Sequence, residues 1–425
     1  DGEAVITARS GETAATLKVQ VKGYAKPFAW AFREHVVPVL SKRGCNQGSC
    51  HGALAGKNGF KLTLKGYDPE VDYDVLTRQS QGRRVVLADA EKSLVLQKAS
   101  FAIPHGGGRL LKKDSLEYRV IREWIEAGAP APTAADVEVV DLEVFPKSAI
   151  LKNGAEQQLV VRAKYADGRF EDVTRWAKYS SNDEGVAQVD DATGRVKMLG
   201  HGEAAITVWY SSKVLYTRLA VPSENEVAPE KYSKITRRNY IDELVVKKLR
   251  GLNIEPSPLA GDEMFVRRAF LDAAGVLPTA EEVENFLADK SANKREKLVE
   301  YILAKEEFTD YWAYKWSDLM LVSSRKLGPV GMQSFYNWIR ESVKQNKSWD
   351  KFATEILTSS GSTRQNGALN YFVLHKDPID LTENVTQAFL GQRLTCARCH
   401  NHPLEKWTQK QYFQMANLFA RVGLK

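Results

Sequence analysis

Two short stretches of this chain carry residues whose types and spacing could do chemistry. They are Cys396-Ala397-Arg398-Cys399-His400 and Cys45-Asn46-Gln47-Gly48-Ser49-Cys50-His51, and together they use all four cysteines of the sequence. C-x-x-C-H is the pattern of covalent haem attachment. Two thiols add to the two vinyl groups of a porphyrin, and the imidazole that follows reaches the iron from one face. Cys45, Cys50 and His51 form a wider version, C-x₄-C-H, with Gly44, Gly48 and Gly52 available to bend the longer loop. A thioredoxin-like dithiol, half of a zinc site and a chance match are the alternatives. A dithiol gives no reason for the adjacent histidine, and zinc needs two further ligands. The expected cofactors are therefore two covalently bound haem c groups.

An iron used for electron transfer takes a second axial ligand, whose identity and surroundings tune its potential. For the first site the candidate is His105, in Pro104-His105-Gly106-Gly107-Gly108-Arg109, where the glycines let the backbone approach a ring. His35 precedes the motif on a helical stretch and reads as structural or as a neighbour of the haem. For the second site the candidates are His375, His402 and Met415, with His375 preferred because it is far enough along the chain to reach the opposite face. His402 is too close to His400 for that, and Asn401-His402-Pro403 reads as a turn. An open, five-coordinate iron is the other possibility there.

The elements that must position these residues fall into blocks. Residues 1–24 read as a β-hairpin, because Gly2-Glu3-Ala4-Val5-Ile6-Thr7 repeats in Gly202-Glu203-Ala204-Ala205-Ile206-Thr207, and the strand that follows each copy matches with a slip of one residue or none. This hairpin reads as the end of a truncated immunoglobulin-like domain, so Asp1 is not expected to start a domain. Residues 25–135 are mainly helical. Trp30 to Leu40 leads into the first cysteine pair, and Leu116, Val120, Ile121, Trp124 and Ile125 recur at the helical period. Residues 136–222 alternate in short strands separated by Gly- and Asp-rich turns, the pattern of a β-sandwich. Residues 223–425 are helical and hold most of the tryptophans, read as core. The predicted fold is multidomain: mainly α cytochrome domains flanking an all-β Ig-like sandwich.

Composition sets outer limits. The chain has 425 residues, 43% of them hydrophobic and 27% charged, which describes a folded multidomain protein. No stretch approaches the run of about 18 apolar residues that a membrane span needs, and Asp1-Gly2-Glu3 does not open an export signal. The formal charge of +7 is spread over short basic blocks. No nucleic-acid-binding signature accompanies them, so nucleic acid is not an expected partner. A basic surface suits an acidic redox partner protein.

The ordering of the blocks resembles the large di-haem cytochrome c proteins of planctomycetes. In these a planctomycete-type cytochrome c domain, a bacterial Ig-like group 2 domain and a second planctomycete-specific cytochrome domain follow one another. Asn58-Gly59-Phe60-Lys61-Leu62, Gly66-Tyr67-Asp68-Pro69 and the segment around His105 resemble the first cytochrome domain. Phe389-Leu390-Gly391, Cys396 through Pro403 and Trp407-Thr408 resemble the second. The resemblance implies an exported protein, periplasmic or at the cell surface. Members usually carry an export signal and a further domain, so a fragment or a processed chain is expected. The C-x₄-C-H spacing departs from the commonest haem motif. The expected role is electron transfer, with redox partner proteins and a homo-oligomer or surface assembly as partners. The rivals are a peroxidase-like or substrate-oxidising haem enzyme with one open iron, and a surface adhesion protein in which the cysteines hold zinc.

Overall fold

The computed structural model describes residues 1–26, 28–53, 55–133, 136–402 and 405–423, so Pro403 of the expected turn lies outside the described residues. The chain divides into two compact units, Asp1–Asn225 with Gly251–Asn253, and Glu226–Arg250 with Ile254–Lys425.

The first unit begins with an antiparallel hairpin of β1 (Gly2–Ser10) and β2 (Thr13–Val21), in which almost every residue is exposed. A helical segment follows. One turn of π-helix, Phe32–Val36, runs into α1 (Val37–Lys42). Then come α2 (Pro69–Thr77), α3 (Leu94–Ala99) and α4 (Leu116–Glu126). The predicted helix from Trp30 to Leu40 thus begins two residues later. The periodic face of α4 is buried as expected, with Val120, Ile121, Trp124 and Ile125 fully enclosed against Phe32, Val36, Val39 and Leu76. Ser115 caps α4 by accepting from the Tyr118 N–H, which satisfies one of the free donors of the first turn.

The rest of the unit is a β-sandwich. Its strands are β3 (Val139–Phe145), β4 (Ser148–Ile150), β5 (Glu156–Gln158), β6 (Val160–Tyr165), β7 (Phe170–Asp172), β8 (Lys178–Ser181), β9 (Ala187–Val189), β10 (Arg195–Met198), β11 (Gly202–Tyr210) and β12 (Lys213–Val221). They form sheets in the orders β3-β6-β7, β5-β10-β9 and β4-β12-β11-β8. Alternate residues of β11 (Ala204, Ile206, Val208) are fully buried, the period-two pattern of a strand with one covered face. Trp176 packs against both the sandwich core and the helical core. The Arg169 guanidinium reaches Glu34 at 2.7 Å, and Tyr210 Oη donates to the Glu34 carbonyl at 3.2 Å. The sandwich therefore packs directly on the segment that leads into Cys45.

The pairing settles how the repeat aligns. β1 pairs with β2 from Gly2↔Val21 to Ser10↔Thr13, and β11 pairs with β12 from Gly202↔Val221 to Tyr210↔Lys213. The two hairpins keep one constant offset in both strands, so no residue slips between the copies.

The second unit is helical. Its main core joins helices Glu306–Leu319, Ser324–Lys344, Trp349–Leu357, Asn370–Leu374 and Pro378–Leu390 around Phe335, Ile339, Tyr371 and Leu381. A separate cluster of Val266, Phe270, Phe286 and Ile302 holds the helices Asp262–Ala274, Ala280–Ala288 and Lys294–Leu303. Helix Tyr240–Gly251 appears over its amphipathic stretch, although Tyr240, Ile241, Leu244 and Val245 are exposed and only Val246 is buried. Among the described residues, no helix is long and apolar enough to cross a membrane.

Candidate functional site

The loop from Cys45 to His51 folds directly off the end of α1. The Cys45 N–H donates to the Leu40 carbonyl at 2.9 Å, and the His51 N–H returns to the Cys45 carbonyl at 3.0 Å. The loop thus closes on itself and sets Cys45 and His51 side by side. Gly52 is required where it stands, since a Cβ there would overlap the carbonyl of Asn46. Gly44 turns the chain out of α1 with φ of 76°, a left-handed conformation that costs glycine little.

His51 and His105 face one another across a cavity of about 260 Å³ that both line, together with Cys45, Leu94, Leu111 and Ile121. Their ring centroids are 6.3 Å apart, and their planes lie 8° from parallel. Each ring is oriented by a backbone carbonyl: His51 Nδ1 lies 3.0 Å from the Phe60 oxygen, and His105 Nδ1 lies 3.0 Å from the Gly108 oxygen. A carbonyl oxygen can only accept, so each Nδ1 carries a proton, and in the neutral ring the lone pair sits on Nε2. This is how a metal-binding histidine is usually held. Within the glycine run, Gly107 packs against the His105 ring itself, where a Cβ would come within 2.9 Å of Cε1, while Gly106 and Gly108 have open space around them. Burial holds the His51 imidazole below its usual value, opposed by the Phe60 carbonyl and reinforced by His105. His51 is therefore a neutral imidazole at pH 7.

Burial pushes the Cys45 thiol up to about 12, with the neighbouring Cys50 adding to the shift. It stays protonated at neutral pH, unlike the low-pKa thiol of a redox dithiol. Cys50 is half-buried, and both cysteines are free.

The cavity is strongly cationic. Arg43, Lys57, Arg83, Arg84 and Lys98 line it, with no Asp or Glu among its described lining residues. Arg43 is matched by Glu117 at 2.5 Å. Arg84 is different. It is 7% exposed and donates to the carbonyls of Val75 at 2.7 Å and Gly59 at 2.8 Å. Its guanidinium stacks 4.7 Å over Phe60, whose ring in turn packs 4.4 Å from His51. Among the described residues it meets no carboxylate. Such a buried charge is costly unless something anionic compensates it.

These residues fit a haem on three counts. Two metal–nitrogen bonds of about 2 Å each, with the offset from nitrogen to ring centre, put opposed imidazole centroids about 6 Å apart. Two nitrogen donors are too few for a protein-only metal site but complete an iron that already has four porphyrin nitrogens. Among the described residues, no group of three or more His, Cys, Asp or Glu forms a metal-ion site. The unmatched guanidinium and lysines suit the carboxylates of the porphyrin edge.

His35 lies elsewhere. Its Nδ1 accepts from the Ala31 N–H at 3.1 Å, and its ring meets Trp30 and Trp176 edge-on. It is structural, as one of its two expected readings has it.

The second motif lies between helix Pro378–Leu390, which ends at Gly391 with φ of 62°, and helix Gln409–Phe419, whose N-terminus is closed by the Thr408/Gln411 capping box. Ala397 and Leu394 anchor the loop under Tyr412, while Cys396 and Cys399 are exposed. His400 is buried, with Nδ1 2.6 Å from the Asn401 oxygen, so it shares the Nδ1-to-carbonyl arrangement of His51. His375 is buried among the main core. Its ring packs 4.7 Å from Tyr371, and its Nε2 sits 3.2 Å from the Met320 carbonyl, so the nitrogen an axial ligand would use is engaged by backbone. His402 Nδ1 accepts from the Glu405 N–H at 2.9 Å, and Met415 packs at the edge of the core.

Reading the sequence for ligands missed Arg84. Its only signal was a lone arginine beside Arg83, and nothing in the pattern marked it as buried.

Residues 240–423 match the family model PSCyt2, described as a protein of unknown function (DUF1549). Residues 138–214 match the bacterial Ig-like domain of group 2. The second match covers β3 to β11 and the start of β12, so that part of the chain is Ig-like; the first lies in the helical unit that contains Cys396, Cys399 and His400. No curated protein matches the chain.

Proposed function

We propose that the chain is an exported di-haem c-type cytochrome that carries electrons. The observation that carries the reading is the pair of nearly parallel imidazoles, His51 and His105, each with Nδ1 on a carbonyl and both lining one cationic cavity. His51 and His105 would hold the iron of the first group, and Cys45 and Cys50 would tether its porphyrin through thioether links. When bound, the haem supplies an iron that cycles between ferrous and ferric states.

The chain's own residues set the conditions for that cycle. The Phe60 and Gly108 carbonyls fix the orientation of His51 and His105, which would let both rings hold the group without reorienting, and the apolar wall of Leu94, Leu111 and Ile121 would exclude water from one side. Arg84 and its cationic neighbours would hold the porphyrin carboxylates and favour the electron-rich state of the group. They also present an electropositive edge to an acidic partner protein. Cys396, Cys399 and His400 form the second attachment site in the helical unit.

At the first site a carrier is favoured over a peroxidase-like catalyst, because His51 and His105 together would leave no position there for substrate. Covalent haem and the Ig-like sandwich both point to a periplasmic or cell-surface location. The test is expression with a haem-maturation system, followed by intact mass and reduced-minus-oxidised absorbance. Two haem masses and a low-spin spectrum support the proposal; a colourless protein of unmodified mass overturns it.

A further inference from the structure

A second cavity, of about 110 Å³, lies on the other side of the Cys45–His51 loop, where the loop and α1 meet the sandwich. It is lined by Ser41, Lys42, Asn46, Lys178, Trp176 and Trp209 among others. Two of its polar residues are fully enclosed. Lys42 is 4% exposed and Asn46 is 1% exposed. Lys42 Nζ spends one hydrogen on the Arg175 carbonyl at 2.6 Å, which leaves two without a partner among the described residues. Burial lowers its proton affinity, the carboxylates of Asp191 and Glu117 raise it, and Arg43 and Arg175 oppose them. The Asn46 Nδ2 donates to Ser41 Oγ at 2.8 Å, while its Oδ1 is buried and meets no donor. A buried ammonium with spare hydrogens and a buried amide oxygen with none are both costly arrangements. They are costly in complementary ways, since one needs an acceptor with negative charge and the other needs a donor.

We propose that this cavity binds a small oxyanion that carries its own hydroxyl, with Lys42 Nζ taking the charge and the Asn46 amide oxygen taking the hydroxyl hydrogen. Hydrogenphosphate and a two-carbon hydroxycarboxylate have that chemistry, and the volume matches them: a cavity of about 150 Å³ holds one benzene. Lys178 and Lys65 add positive charge at the wall, and Lys65 lies 5.4 Å over the Trp209 ring. Trp176 and Trp209 close the apolar side. The site does not depend on the haem reading. Asn46 and Gln47 belong to the loop between Cys45 and Cys50, so an occupant would brace that loop from behind.

Isothermal titration calorimetry on the full chain at pH 7, at matched ionic strength, tests this with inorganic phosphate, glycolate, acetate and chloride. Phosphate and glycolate are expected to bind at one site per chain, and acetate, which has no hydroxyl, more weakly. Lys42→Met is expected to weaken binding by about tenfold or more, from the loss of a charged hydrogen bond. Lys178→Gln, at the less enclosed wall, is expected to weaken it severalfold and serves if Lys42→Met fails to fold by circular dichroism. Absence of saturable heat overturns the proposal. So does unchanged affinity in both variants, which would place the ion at the cationic His51 cavity, and so does acetate binding as tightly as glycolate.

Discussion

His51 and His105 line one cavity with nearly parallel imidazoles 6.3 Å apart, and each ring is turned by a hydrogen bond to a carbonyl close to it in the chain. The orientation of each ring is therefore local, while their meeting is tertiary. His105→Met should keep a second ligand but change its kind, and thioether ligation raises the potential. The midpoint of the first haem is expected to rise by an appreciable part of the roughly 0.8 V that axial ligands command. His105→Ala should instead give a high-spin, five-coordinate spectrum. If redox titration finds both midpoints unmoved in either variant, His105 is not a ligand.

The two haem sites should separate by mass. Cys396→Ser with Cys399→Ser is expected to remove one haem mass and leave the His51/His105 spectrum intact. Cys45→Ser with Cys50→Ser should remove the other. Intact mass spectrometry of the two double variants reads this directly, and loss of both groups from either one would contradict independent sites.

Gly52 and Gly48 occupy the same loop but differ in the space around them. A Cβ on Gly52 would overlap the Asn46 carbonyl, whereas on Gly48 it would come no nearer than 3.9 Å to Leu64. Gly52→Ala is expected to cost about 3 kcal/mol through overpacking, and Gly48→Ala to stay within about 1 kcal/mol. Denaturant unfolding of both variants makes the comparison.

Asp72 makes the first unit's stability depend on pH. Its carboxyl is 1% exposed, accepts from the Thr63 N–H at 2.5 Å and from Thr63 Oγ1 at 2.8 Å, and is pushed up to about 7, chiefly by burial. A carboxyl with a raised folded value stabilises fully below its unfolded value near 4. That contribution is lost as pH rises through the folded value. Unfolding free energy should therefore fall between about pH 4 and pH 7 by a few kcal/mol more in the native chain than in Asp72→Asn. Equal slopes for the two proteins would show that the carboxyl is not the cause.

Ile6 and Ile206 hold equivalent places in equivalent hairpins, paired with Leu17 and Thr217. Ile206 is fully buried and Ile6 is 56% exposed. Ile206→Ala should cost about 2–5 kcal/mol, and Ile6→Ala less than about 0.5 kcal/mol. Amide exchange in β1 should likewise be far faster than in β11, since a lone hairpin is marginally stable.

The sequence by itself singled out Cys45, Cys50, His51, Cys396, Cys399 and His400, because the attachment pattern is defined by neighbours in the chain and spacing records neighbours. It was also enough for the α4 helix and the alternating strands of the sandwich, where period 3.6 and period 2 mark one covered face. Only the tertiary structure brought His105 to His51, turned Arg84 inward as a buried cation and engaged His375 Nε2 with the Met320 carbonyl. Each of those depends on how distant segments pack, and burial of a single side chain leaves no periodic trace. The same limit explains the two hairpins. Their sequences and registers agree, yet one is core and the other is exposed, because a strand's pattern specifies which face needs cover and not what covers it.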